Sequence, residues 1–123
     1  MHGNMYIASF IYEPGKYDAE FDRLNAIIDS VARGLPGFLG AESWLAATGT
    51  RRQATYYWDS LDTLRQFAAH PAHQEAKRQY ARWYDAYHVV ISERVRSYGN
   101  GALDHPTASE RLKTPAAVSP SPE

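Results

Sequence analysis

The residues with the most chemistry in this chain are two histidines set three apart around a proline, His70-Pro71-Ala72-His73. That spacing can aim two imidazoles at one ligand or metal, but a metal would need a third donor from Glu75, Asp85 or His88, and no spacing fixes one. No metal is expected on this ground. An imidazole titrates at about 6.5, so a histidine facing a cavity suits proton abstraction near neutral pH. His73 is the candidate base, with a packing role as its alternative. His70 reads as a solvated helix-end residue that also borders the same site. The second anomaly is aromatic: Trp44, Tyr56, Tyr57, Trp58, Trp83, Tyr84 and Tyr87. Such rings stack on flat ligands and orient them through their polar atoms, although an aromatic stripe is more often core or interface. Tyr57, Trp58, Trp83 and Tyr84 are taken as the substrate-binding wall and donors, and the rest as packing.

The elements that must hold these side chains follow from periodicity. Residues 4–12 form a β-prone run closed by the turn signal Pro14-Gly15. From 17 to 35 the apolar residues Phe21, Leu24, Ile27, Ile28, Val31 and Leu35 fall on one helical face, and the helix ends at Gly34. A second strand runs to Leu45, and Thr48-Gly49-Thr50 connects it to a third over 52–59. There Ala54, Tyr56 and Trp58 face one side, Thr55, Tyr57 and Asp59 the other. Ser60 caps a helix carrying Leu61, Leu64, Phe67 and Ala68, and Pro71 starts a further helical segment carrying Ala76, Tyr80, Trp83, Tyr84 and Tyr87. A last strand is expected over 88–98. The order β-α-β-β-α-β predicts an α+β, ferredoxin-like domain: a four-stranded antiparallel sheet with its helices on one face. The opposite face would be bare and aromatic, so a homodimer is expected to cover it.

Composition narrows the function classes. At 123 residues the chain has room for one domain. Thirteen Lys+Arg against fourteen Asp+Glu leave a net charge of -1, which gives no field for nucleic acid or an anionic membrane. Cysteine is absent, which removes disulfides, thiolate nucleophiles and cysteine-held metals. No long apolar run suggests a membrane span, and the chain reads as cytoplasmic. The Gly-Xaa-Ser-Xaa-Gly elbow, the phosphate-binding loop and the dinucleotide fingerprint are all missing, which argues against the hydrolytic and nucleotide chemistry that they serve. After Gly99 the composition turns to Pro, Ser, Thr and Ala, so residues 1–99 are read as the domain and 100–123 as a flexible tail.

Several motifs occur in a recognisable order: Leu35-Pro36-Gly37-Phe38-Leu39-Gly40, Tyr57-Trp58-Asp59-Ser60-Leu61, His70-Pro71-Ala72-His73, Trp83-Tyr84-Asp85-Ala86-Tyr87 and Glu93-Arg94-Val95-Arg96-Ser97-Tyr98. Together they resemble the antibiotic biosynthesis monooxygenase (ABM) domains over residues 4–99. The resemblance implies a dimeric α+β barrel and, in one branch, cofactor-free oxidation of anthrone- or phenol-like polyketides to quinones by dioxygen. A haem-degrading branch relies on an Asn, a Trp and a His whose motif positions fall near Ala8, Phe67 and Lys77 here. All three differ, so no cofactor is expected and haem breakdown is not. The expected ligand is a small aromatic molecule. The expected activity is that of an ABM-type monooxygenase, with a non-catalytic ligand-binding protein on the same fold as the alternative.

Overall fold

Strand β1 (Tyr6–Pro14) occupies an interior place in the sheet because both of its faces are apolar enough to be covered. It pairs antiparallel with β3 (Arg52–Trp58) on one side and with β4 (Tyr84–Glu93) on the other, and β2 (Phe38–Leu45) adds to β3, giving the order β2-β3-β1-β4. The computed structural model describes residues 4–110. Helix α1 (Ala19–Gly34) follows β1, while α2 (Leu61–Ala69), α3 (Pro71–Arg78) and the single turn α4 (Tyr80–Trp83) lie between β3 and β4. The fold is thus the expected ferredoxin-like α+β arrangement. Alternation along β1 and β3 puts Tyr6, Ala8, Tyr56 and Trp58 on the helix side, where they pack with Ala32, Leu64 and Phe67.

Helix boundaries have local causes. Asp18 caps α1 by accepting the Phe21 N–H at 2.9 Å, and the same carboxylate accepts the Trp83 indole N–H at 3.0 Å and pairs with Arg82 at 2.7 Å. One side chain therefore fixes the start of α1 against α4. Ser60 caps α2, and His70 ends α2 and begins α3: its Nδ1 accepts the Ala72 N–H at 3.0 Å, with Pro71 in the first turn, where its missing N–H costs nothing.

The structure departs from the expected elements after Arg78. Gln79 leaves helical geometry, and Tyr84 and Tyr87 lie on β4, not on a helix. The strand covers Tyr84–Glu93 instead of 88–98. Tyr84, Tyr87, Val89, Val90 and Ile91 suit a pleated surface, and β1 offers a backbone ladder from Pro14↔Tyr84 to Tyr6↔Glu93. Tertiary pairing overrides a helical period that those tyrosines also satisfied.

The second face of the sheet is not bare. Met5 is fully buried, and Thr55 and Tyr57, which face away from the helices, are 3% and 7% exposed. His105 lies edge-on to Tyr57 with ring centroids 5.3 Å apart, and Pro106 lies against Gly40 of β2. Residues 105–108 are therefore a strap over the β2–β3 end of the sheet, a correction to the tail expected from residue 100. Residues 111–123 of that expected tail lie outside the described residues. The physical reason is a polar anchor that composition does not register. Glu42 accepts the Tyr57 hydroxyl at 2.9 Å and pairs with His105, whose Nδ1 in turn lies 2.9 Å from the Thr107 hydroxyl.

Two predictions arise here. Gly40 has φ +142, and a Cβ there would lie 2.9 Å from Pro106 Cγ, so Gly40→Ala is expected to cost about 1–3 kcal/mol in denaturant unfolding. An unchanged midpoint would mean that the strap is not seated. Burial alone would raise the Glu42 pKa, but hydrogen bonds from Trp44 and Tyr57 and the neighbouring His105 outweigh it and hold the carboxyl below its ordinary value of 4.5. A depressed carboxyl stabilises the fold fully above its unfolded pKa and loses that contribution as pH falls through its folded pKa. Acid below pH 4.5 should thus release the strap, read as increasing Tyr57 solvent exposure. The Glu42→Gln variant should lack that transition, and an identical acid profile in both proteins would sink the assignment.

Candidate active site on the helix side of the sheet

His73 enters the helix side of the sheet from the first turn of α3, where His70 and Pro71 set the direction of the helix. Its ring stands edge-on to Phe67 at 4.9 Å, Phe67 stacks on Tyr56 at 5.5 Å, and Trp58 tilts against Phe67 at 5.0 Å. Two buried polar atoms on this cluster, His73 Nδ1 and Trp58 Nε1, have no hydrogen-bond partner. Buried polar groups are normally paired, so an orphan acceptor and an orphan donor on either side of Phe67 mark a place where a ligand's polar atoms belong. Burial and then the Lys77 ammonium push the His73 pKa below 6.5, the Ala68 carbonyl acts in the opposite sense, and His70 lowers it further. The imidazole is therefore neutral at neutral pH, with a lone pair available at Nδ1.

Next to this cluster the inner faces of β1 and β4 carry a second group of rings. Tyr84 stands edge-on to Phe10 at 5.1 Å and to Tyr12 at 5.3 Å, and Tyr17 stacks flat on Phe21 at 3.9 Å. Burial is the first of the causes that raise the pKa values of Tyr84 and Tyr56, so both keep their protons and serve as donors.

The sequence-derived site residues do not all converge. His73, Trp58 and Tyr84 lie on the helix side, the first two on the Phe67 cluster and Tyr84 in the adjoining rings. Tyr57 projects from the opposite face of the sheet, held by Glu42 and His105, and cannot share a pocket with its neighbour Trp58. Trp83 is packed with Leu24 and Ala72, its N–H already spent on Asp18, so it supports the site from behind. His70 uses Nδ1 as a helix cap. Among the described residues no three His, Asp or Glu side chains approach closely enough to hold a metal. Tyr12, Tyr17 and Phe10 were missed: the alternation Tyr6, Ala8, Phe10, Tyr12 was legible, but not the register that sets Tyr12 beside Tyr84. No helix among the described residues is long and apolar enough to cross a membrane.

A β-α-β-β-α-β sheet with an unpaired imidazole and indole on its helix side defines the class of small monooxygenase-like α+β domains. Within it, residues 11–93 match the model of the monooxygenase af470-like family, and the chain belongs to that family. The Bacillus subtilis (strain 168) protein YqjZ is 40% identical over 65 residues, a match that spans 52% of this chain and 56% of YqjZ. Among solved structures, SnoaB, a cofactor-independent oxygenase from Streptomyces nogalater, superposes with a TM-score of 0.59 at 12% identity, over 77% of this chain and 96% of SnoaB. Rv0793 from Mycobacterium tuberculosis has a TM-score of 0.59 at 13% identity, over 77% of this chain and 99% of its own. A dimeric ferredoxin-like protein from Thermobifida fusca YX has a TM-score of 0.55 at 14% identity, over 73% of this chain and 91% of that one. At these identities the structural likenesses establish the fold.

Proposed function

We propose that this protein is a cofactor-independent monooxygenase that oxidises a flat, electron-rich phenolic or polyketide-like molecule with dioxygen on the helix side of the sheet. The observation that carries the reading is His73: a buried imidazole, held neutral, with an unpartnered Nδ1 beside three aromatic rings. Membership of a monooxygenase-like family supports it, as does the fold shared with SnoaB. His73 takes a proton from an activated CH₂ or ring hydroxyl, which leaves a delocalised carbanion. That anion passes one electron to dioxygen, the radical pair joins to form a C–O bond, and the imidazolium returns its proton to the peroxide. Loss of water across the C–H and O–O bonds then gives a carbonyl, so one CH₂ and one O₂ become one C=O and one H₂O. The Trp58 N–H is the donor available to the developing oxyanion, in a setting where exclusion of water strengthens it.

Oxygen uptake with an anthrone tests this directly. The expected result is one O₂ consumed per quinone formed, without added metal, flavin or haem and without free peroxide. Uptake no faster than the uncatalysed autoxidation would leave a ligand-binding protein in place of an enzyme.

We also propose a homodimer that uses the part of the second sheet face beyond the strap. Trp44 at 64% and Val90 at 42% exposure remain uncovered there, and the Thermobifida fusca relative is itself described as dimeric. Light scattering at micromolar concentration should return twice the chain mass; a monomer would refute the proposal.

A further inference from the structure

Four tyrosines converge on the helix side where β1 meets β4, and the proton-abstraction step uses none of them. Tyr84 contacts Tyr12 edge-on at 5.3 Å and Tyr17 at 6.0 Å. Tyr56, stacked on Phe67, comes within electrostatic reach of Tyr12 and of Tyr84. None of the four hydroxyls has a hydrogen-bond partner among the described residues, and those of Tyr12, Tyr56 and Tyr84 are not among the sealed-in orphan atoms. A tyrosine kept only for packing leaves its hydroxyl in water or satisfies it nearby; four gathered on one aromatic surface present a set of donors with nothing to donate to.

We propose that Tyr12, Tyr17, Tyr56 and Tyr84 form an oxygen-recognition subsite for a fused aromatic ligand bearing at least two ring hydroxyl or carbonyl groups. Phe10, which lies against both Tyr12 and Tyr84, supplies the apolar surface on which the ring plane rests. The charges around the subsite fit this ligand class. Arg33 and Asp29 both act on Tyr56 but neutralise each other at 2.9 Å, and Arg52 reaches Tyr17 from the rim. Nothing there matches a carboxylate bidentately, whereas phenol and quinone oxygens accept from tyrosine hydroxyls one at a time. Burial leads the causes that raise the pKa values of Tyr17, Tyr56 and Tyr84, so each remains a donor through the neutral range. The inference rests on reading the helix side as the substrate site, and it extends that reading from the reacting carbon to the far end of the molecule.

The test is anaerobic binding, read by quenching of tryptophan fluorescence, with 1,5-dihydroxynaphthalene and naphthalene as the probe pair. Wild-type protein should bind the dihydroxy compound at least about 10-fold more tightly. Tyr12→Phe and Tyr84→Phe each keep the ring and remove the hydroxyl, and each should weaken the dihydroxy probe by about 2- to 10-fold while naphthalene stays within about 2-fold. Thermal melts of the same samples establish that the Phe variants are folded. Equal loss for both probes would make the tyrosines packing residues, and no loss for either would place the ligand elsewhere; both overturn the subsite. Because no turnover is involved, intact discrimination without oxygen uptake would remove the oxygenase reading and leave the subsite. Equal affinity of wild type for the two probes would remove the subsite whatever the oxygen uptake.

Discussion

His73→Ala is expected to lower turnover by about 10²–10⁴-fold, the usual loss on removing one positioned proton acceptor. The ring makes no hydrogen bond through Nδ1, so its removal strands no buried partner there, and the melting temperature should change little. Two further measurements separate a base from a packing residue. A base with a depressed pKa keeps its activity to lower pH than an ordinary imidazole, so kcat/KM should rise with pH through a midpoint below 6.5, and that limb should vanish in the variant. Stability should follow the matching linkage. The unfolded chain binds a proton at His73 that the folded chain resists, so wild-type stability falls as pH drops below 6.5, and His73→Ala should flatten that decline. Unchanged turnover per folded molecule would remove His73 from the mechanism.

The largest stability effect is expected at Trp83, which is 1% exposed. Trp83→Ala should cost about 3–5 kcal/mol, the range for deleting a buried aromatic side chain. The indole joins Leu24 of α1 to Ala72 of α3, and its N–H fixes Asp18, so the loss reaches the entry to β4 and the start of α1 together. Trp83→Phe keeps most of the packing and gives up the hydrogen bond, and should cost about 0.5–1.5 kcal/mol. Chemical denaturation measures both, and a cost below about 1 kcal/mol for the alanine variant would contradict this core assignment. The conservative variant also settles the ligand question. If Trp83 stands behind the site, Trp83→Phe leaves KM unchanged; a raised KM would return it to the substrate wall.

Short-range patterns carried much of this architecture. The alternation of Ala54, Tyr56 and Trp58 against Thr55 and Tyr57, the Ser60 cap and the His70-Pro71 joint are local properties, and the structure contains all of them. The same alternation already implied that Tyr57 and Trp58, being adjacent on a strand, belong to opposite faces, so placing both in one site contradicted the periodicity. The α3–β4 boundary was not legible because Tyr80, Tyr84 and Tyr87 satisfy a helical spacing while the residues around them satisfy a strand. Only the ladder with β1 decides between the two. The strap was hidden for a related reason: His105 acquires its meaning from Glu42 and Tyr57, far away in sequence, within a segment whose composition reads as tail. Of the candidate site, His73 and Tyr84 were within reach of sequence reasoning, whereas Tyr12, Tyr17 and Tyr56 depend on register.

The interior position of β1 also governs the order in which the chain can fold. Its two ladders run to β3 and to β4, so the first strand to leave the ribosome waits for the last strand of the sheet before its second edge is paired. Only β2–β3 can close as a local hairpin. Pairings of such sequence separation incur their loop-closure entropy early and are rewarded late, which makes assembly of this sheet slow relative to its helices. Until β4 emerges, β1 presents Ile7, Ile11 and Phe10 along an open strand edge, the kind of template on which nascent chains associate. A chain cut short before Tyr84 would keep that edge exposed indefinitely, and insolubility of such fragments follows from where the chain places its first strand.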